Sequence, residues 1–427
     1  MINSITNPIF SHLHTFTKPT CYAVTKPTNS ISQNTHQAQK FLPLWTVTEI
    51  AQAVNGRIVK WGPPGTISTD TRTLQPHQWF FAICGENFDA HDFITPDLSH
   101  KGCVGVIGKR VCENWDKGFV EIKGDTILSL MMMASYARDR FSGELIGVTG
   151  SVGKTTTKAM IALALGGIAN MVYEMGMIRK GEILELARMA RPSVRVVLNV
   201  RASHLANFAS LEDLAMAKGE ILVEAKPGDV CVMNADDPLV LSLPVPRGVN
   251  RVLFGRRMGC DVRLVAAESA DGGHALRVVL EKDEEMVELL IPIPGLHLAH
   301  NACAAAAAAT HLGVPLKQVA TSLSTFSPVC MRSELIVARN GIKIVNDVYN
   351  ANPISTKAAI DLLNSMECKG KRVAILGDMP VVSHDAESIA VKILKQIGCG
   401  DVVLVKGSRR MEMEKVVNTL KEMEIQN

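Results

Sequence analysis

The run ELIGVTGSVGKTTTK at 144–158 constrains the fold more than any other stretch of the chain. Its first part is a short apolar segment closed by Gly150, the pattern of a buried strand. Its second part, from Lys154 onward, has the composition of a helix that opens directly after the glycines. A strand that passes through a glycine turn into a helix belongs to an α/β fold with a parallel sheet. Gly150 and Gly153 let the backbone come close to a bound anion, and the helix N-terminus supplies N–H donors. Lys154 is placed to reach the β- and γ-phosphates of a nucleotide, and Thr155 to offer its hydroxyl to Mg²⁺. The spacing is the short T-G-x-x-G-K-T form, because Val148 stands five residues before Gly153. Gly150, Ser151, Gly153, Lys154, Thr155 and Thr156 are therefore the candidate ATP contacts.

The segments that follow repeat the strand–helix alternation. MVYEMG (171–176) reads as a strand ending in Glu174, and a carboxylate at a strand's carboxyl end beside a phosphate loop suits Mg²⁺. VRVVLNV (194–200) and DVCVMNAD (229–236) read as further buried strands, with helices expected on both faces of the sheet. His204 lies just past the first of these, and Lys218 on a helix over 210–222 with a Ser210/Asp213 capping-box pattern. After Leu253 the strands shorten, and the alanine run at 302–309 predicts a tightly packed helix. A third α/β module opens near Met331 with the strands IKIVNDV, RVAILGD and DVVLVKG. Asn340-Gly341 predicts a hairpin with a primed turn. Ahead of the phosphate loop, 43–124 reads as a smaller α/β module. The expected domains are thus 43–124, a central 125–328 and a C-terminal, Rossmann-like 329–427.

Composition narrows the function classes. A net charge of +3, with no basic stripe interleaved with aromatics, argues against nucleic acid as a partner. Ten cysteines without a C-x-x-C pair argue against a zinc site or a disulfide framework. No apolar run is long enough to span a bilayer, so no membrane role is expected. Residues 1–42 stand apart: there is no acidic residue from Met1 to Lys40, Ser and Thr are abundant, and Lys18, Lys26 and Lys40 leave the segment positive. That is the pattern of an organelle transit peptide, disordered and outside the fold, and the lack of Arg favours a plastid address.

Taken in order, TGSVGKTTTK, YEMG, NVRASHLANFASLEDLAMAKGEI, GLHLAHNACAAAA, MRSELI, NDVYNANPIS, LGDM and GDVVLVKGSR resemble the Mur ligase family over nearly all of 45–424. STDTR with GENFDAHDF, and DVYNANPIS, are most similar to the branch that adds D-Ala-D-Ala to UDP-N-acetylmuramoyl-tripeptide. The resemblance implies a three-domain monomer and an ATP-dependent amide ligase working through an acyl phosphate, with Mg²⁺. In that frame Thr155 and Glu174 match the positions holding one Mg²⁺, and His204 the position holding the second. Lys218 matches the family's carbamylated lysine, Asn301 the adenine-contacting position, and Arg332 the arginine that reaches ATP from the third domain. Asp347 matches the ribose-binding acid. Asn350, Asn352 and Ser355 match the loop facing the cleft, and Ser68, Asp70 and Arg72 the UDP-binding stretch.

Two segments usual in the family are missing. KTTTKAMIALALGGIAN runs straight into MVYEMG, and PVVSHDAESIAVKILKQIGCGDVVLVKGSR follows LGDM. The 33 residues from Glu144 to Gly176 are enough for a βαβ crossover. The loss predicts either a gap in the sheet or a strand left at its edge, and a gap would cost about 1–3 kcal/mol for each unpaired buried backbone group. Met331 and Ala90 stand where glycine is usual, and Arg201 places a cation beside the His204 position. The alternative function is a non-catalytic nucleotide-binding isoform that keeps the scaffold.

Overall fold

The computed structural model describes residues 44–85, 88–166, 171–202, 207–377, 397–408 and 411–422. The expected leader over 1–42, His204 and the break after Met379 lie outside the described residues. The chain forms two compact units that meet between Ser142 and Gly143.

The first unit is built on a five-stranded sheet in the order Arg57–Lys60, Gly118–Glu121, Gly105–Gly108, Gln78–Phe81, Thr66–Ser68. The first pair is antiparallel and the rest are parallel. In Gln78–Phe81 successive side chains point to opposite faces. Trp79 and Phe81 accordingly join a core with Val47, Ile50, Val120 and Met133, whereas Phe80 joins Leu74, Val106 and Phe119 on the other face. A Cβ at Gly118 would come within 2.5 Å of the Trp79 ring, so the indole needs glycine beneath it.

The helix Thr126–Asp139 was expected in the central domain, but it packs in this first unit. Met133 lies in its core, Tyr136 stacks at 5.8 Å from Trp45, and Thr126 Oγ1 accepts from Cys84 N at 2.8 Å. Its buried positions Thr126, Ser129 and Met133 are spaced for one helix face, and that face meets the first sheet.

The second unit carries an eight-stranded sheet. Its order is Glu285–Ile291, Ala275–Lys282, Val262–Ala270, Asn250–Gly255, Val230–Asn234, Val194–Val197, Leu145–Thr149, Met171–Glu174. The last six strands are parallel. The strands after Leu253 do not shorten as expected: Val262–Ala270, Ala275–Lys282 and Glu285–Ile291 run 9, 8 and 7 residues, because they turn antiparallel and extend the sheet as two hairpins. Apolar residues on both faces mark a doubly covered sheet: Val196 and Val232 face one core, Val197 and Met233 the other. On the first face the helix Leu298–His311 buries Ala302 and Ala304–Ala309 completely against the phosphate-loop helix Lys154–Ala164 and the sheet. Small side chains permit that close approach.

The short join after the phosphate-loop helix leaves no gap. Met171–Glu174 pairs directly with Leu145–Thr149, in register from Leu145 with Met171 to Val148 with Glu174. Met171 N donates to Glu144 O at 3.0 Å and Met175 N to Val148 O at 2.8 Å, so the ladder continues at both ends. The strand bearing Glu174 is the terminal strand of the sheet. Of the two expected outcomes, the edge is the one realised.

The third module is a four-stranded sheet in the order Glu334–Val337, Lys343–Asp347, Val402–Lys406, Arg372–Leu376, antiparallel only in the first pair. The Asn340-Gly341 hairpin forms, but not through a primed turn. Gly341 N donates to Ala338 O, Gly341 has φ +79°, and Asn340 is not in the left-handed region. This is a type I turn followed by a left-handed glycine, the three-residue loop class.

Candidate nucleotide and metal site

The phosphate loop leaves the fully buried strand Leu145–Thr149 through two glycines that no other residue could replace without strain. Gly150 has φ +152° and a Cβ there would sit 2.9 Å from Leu198 Cβ. Gly153, at φ +88°, is the N-cap of the helix, and a Cβ there would meet Asn301 Oδ1 at 2.5 Å. The first helical hydrogen bond to the loop is Thr157 N to Gly153 O, at 2.9 Å. The first-turn N–H groups of Lys154, Thr155 and Thr156 have no intrahelical partner and form the anion cradle.

Asn199 braces this loop, and sequence reasoning missed it. Its Oδ1 accepts from Ser151 N (3.2 Å) and Val152 N (3.1 Å), and its Nδ2 donates to Val152 O (3.1 Å). The only signal for it was an asparagine at the end of a buried strand. Ser151 is further tied to the next strand end, its Oγ donating to Arg201 O and accepting from Arg201 N.

Around the cradle the structure brings together Lys154, Thr155, Glu174, Lys218 and Arg332. Thr155 Oγ1 donates to Glu174 Oε2 at 2.9 Å, and Lys158 Nζ lies 3.1 Å from Glu174 Oε1. Arg332, from the third module, donates to Thr155 Oγ1 at 2.8 Å and lies over the Tyr349 ring at 3.9 Å. Lys154 Nζ folds back to Gly150 O at 2.8 Å. Burial pushes the Lys154 ammonium down to about 8; Glu174 opposes that shift and Arg332 adds to it. Lys218 is 4 % exposed, and burial together with the Lys154 charge pushes it down to about 7. Lys154, Lys158 and Arg332 around one carboxylate, with the buried Lys218 beside Lys154, make a site short of negative charge, which a polyphosphate supplies.

Thr155 and Glu174 offer a hydroxyl and a carboxylate side by side, hard oxygen donors that suit Mg²⁺. Among the described residues no group of three or more His, Cys, Asp or Glu could hold a metal. An ion held by this pair would take further ligands from phosphate and water, as Mg²⁺ does at nucleotide sites. Arg201, read from sequence as a cation beside the metal, is engaged elsewhere. Its guanidinium donates to Asp237 Oδ2 at 2.7 Å, and Asp237 is 1 % exposed.

The remaining candidates divide. Asn301 is buried against the phosphate loop at Gly153. Both oxygens of Asp347 are already bonded within the protein: Oδ1 accepts from Ser333 N at 3.0 Å and Oδ2 from Lys406 Nζ at 2.5 Å. Asn352 and Ser355 form a capping box at the start of the helix Pro353–Ser365, and Asn350 Oδ1 accepts from Ala351 N. These three side chains shape the loop through its own backbone. Ser68, Asp70 and Arg72 form a turn in the first unit, where Arg72 grips Asp70 with two bonds of 2.9 Å and Ser68 Oγ donates to Asp70 O.

The Mur ligase middle domain matches residues 163–309, and the Mur ligase, glutamate ligase domain matches 331–425. The chain is 34 % identical to the UDP-N-acetylmuramoyl-tripeptide–D-alanyl-D-alanine ligase of Bacillus subtilis over 78 % of both chains. It is 29 % identical to the enzyme of that name from Escherichia coli over 82 % of both. The crystal structure of the MurF ligase from Thermotoga maritima in complex with ADP superposes with a TM-score of 0.68 at 25 % identity, covering 84 % of this chain and 97 % of that one. MurF from Acinetobacter baumannii shares the fold, with a TM-score of 0.74 at 24 % identity over 89 % of this chain and 100 % of that one. The chain belongs to the Mur ligase family.

Proposed function

We propose that this protein uses ATP to join D-Ala-D-Ala to UDP-N-acetylmuramoyl-tripeptide, a step in the assembly of peptidoglycan precursors. The observation that carries the reading is the convergence of Lys154, Thr155, Glu174, Lys218 and Arg332 on one helix N-terminus. Its relatives of that name span most of its length.

The chemistry requires two anions to meet. A terminal carboxylate oxygen of the tripeptide attacks the γ-phosphorus, and the bond to the β,γ-bridging oxygen breaks to release ADP. The amine of D-Ala-D-Ala then attacks the acyl carbon, loses a proton, and the C–O bond to phosphate breaks. Lys154 and the first-turn N–H groups offset the charge on the β- and γ-phosphates. Arg332 reaches the same corner from the third module. Mg²⁺, held by Thr155 and Glu174, would supply Lewis-acid polarisation of the phosphate oxygens. Lys218, pushed down to about 7, is partly the neutral amine at neutral pH. That is the form that carbamylation needs, and the product would be an anion facing Lys154.

We further propose that the protein acts as a monomer in a plastid, with 1–42 as its address. The support is the acid-free, hydroxyl-rich composition of that segment. The test of the function is phosphate release with ATP, the tripeptide nucleotide and D-Ala-D-Ala. Release that needs all three and disappears in Lys154→Ala supports the ligase. ATP binding with no release supports the non-catalytic alternative, and release unchanged in Lys154→Ala removes the site assignment.

A further inference from the structure

Arg332 reaches the phosphate-loop threonine from a turn that the backbone does not favour. Met331 has φ +62° and Ser333 φ +51°, so a non-glycine residue sits in the left-handed region on each side of the arginine. Such a turn persists only where its surroundings hold it. Four bonds do so: Ser333 N to Asp347 Oδ1 (3.0 Å), Arg332 N to Val329 O (3.0 Å), Met331 N to Glu334 Oε2 (3.2 Å) and Tyr349 N to Met331 O (3.3 Å). Tyr349 also supplies the ring under the guanidinium.

Asp347 is in turn held by Lys406. The two are register partners at the carboxyl ends of adjacent parallel strands. Lys406 is 2 % exposed, and its ammonium donates to Asp347 Oδ2 (2.5 Å) and to Asn350 O (2.9 Å). A buried lysine is costly without a partner, and this one is spent on the acid that pins the turn and on the loop that follows Tyr349.

We propose that Lys406 is a positioning residue that acts through Asp347 to set Arg332 on the phosphate loop. Asp347 then serves the ligand-free protein as the peg of the Arg332 turn. Only the ATP-binding arm of the test rests on reading the cleft as a nucleotide site.

The first arm is amide hydrogen exchange on the full, ligand-free chain. Lys406→Met is expected to speed exchange at Ser333 at least tenfold while the amides of Leu145–Thr149 stay within twofold. Unchanged Ser333 exchange overturns the proposal. The second arm is the ATP dissociation constant in a double-mutant cycle. Lys406→Met is expected to weaken ATP at least fivefold alone and less than twofold in an Arg332→Ala background; equal factors in both overturn it. If Lys406→Met fails to fold, Lys406→Gln takes its place. In that variant, protection lost equally throughout the third sheet would make the role packing alone and overturn the proposal. If the unaltered chain binds no ATP, the ligase reading fails, and the exchange arm still decides the role of Lys406.

Discussion

Replacing Asn199 by alanine isolates a side chain that braces the phosphate-loop backbone without belonging to the loop. The substitution removes three hydrogen bonds, to Ser151 N, Val152 N and Val152 O. A neutral hydrogen bond contributes a net 0.5–1.5 kcal/mol in rough terms, and water can reach part of this loop, so we take the lower half of that range. The sum is about 2 kcal/mol of lost preorganisation, which weakens ATP roughly 30-fold. Isothermal titration with ATP and Mg²⁺ measures it. Asn199→Asp sharpens the reasoning, because it keeps the acceptor oxygen, loses the donor and adds a negative charge beside an anion site. It should bind ATP more weakly than Asn199→Ala at low salt and approach it as salt screens the charge. An Asn199→Ala chain that folds and binds ATP within twofold of the unaltered protein would refute the bracing role.

Other predictions follow from the same geometry. Lys154 and Lys218 have folded pKa values of about 8 and about 7, below the unfolded range near 10. Between those limits the unfolded chain binds more protons, so stability rises with pH. The slope reaches about 1.4 kcal/mol per pH unit for each lysine. Lys218→Met should raise stability at pH 7 and flatten the rise from about 7 to 10, read from urea midpoints; an unchanged slope would contradict the depressed pKa. Lys158→Gln frees Glu174 Oε1 from its ammonium, so the chain should bind Mn²⁺, watched by paramagnetic resonance, several-fold more tightly. Weaker binding would mean that Lys158 organises the carboxylate instead of competing for it. In the first unit, Gly118→Ala puts a Cβ 2.5 Å from the Trp79 ring and should cost about 1–3 kcal/mol in a melt, as overpacking does. No change would show that the indole can move.

The parts of the fold and site that could be read from sequence are those written in local pattern. The phosphate loop declares itself through glycine spacing after a buried strand, and Glu174 through its place at a strand end. The alanine run announces a helix packed closely on another. What was missed depends on partners far along the chain. Nothing near Asn199 says that its amide will meet Ser151, and nothing near Lys406 says that it will sit beside Asp347 across two strands. The helix Thr126–Asp139 has a buried stripe in its sequence, but only the folded chain shows which sheet that stripe meets. At Asn340-Gly341 the dipeptide fits two turn classes, and the bond from Ala338 N to Ile342 O goes with the longer one. The short join before Met171 was legible as a loss. That the neighbouring strand would close up beside Leu145–Thr149 was not, because pairing order is a property of the whole sheet.

The account turns on transfer of the γ-phosphoryl group to a peptide carboxylate. The most direct measurement labels both oxygens of the tripeptide's terminal carboxylate with ¹⁸O and follows the label during turnover with ATP and D-Ala-D-Ala. The predicted result is one ¹⁸O in each released phosphate, carried over when the acyl phosphate C–O bond breaks. Phosphate released without label, with the one ¹⁸O that amide formation displaces found in water instead, would contradict it.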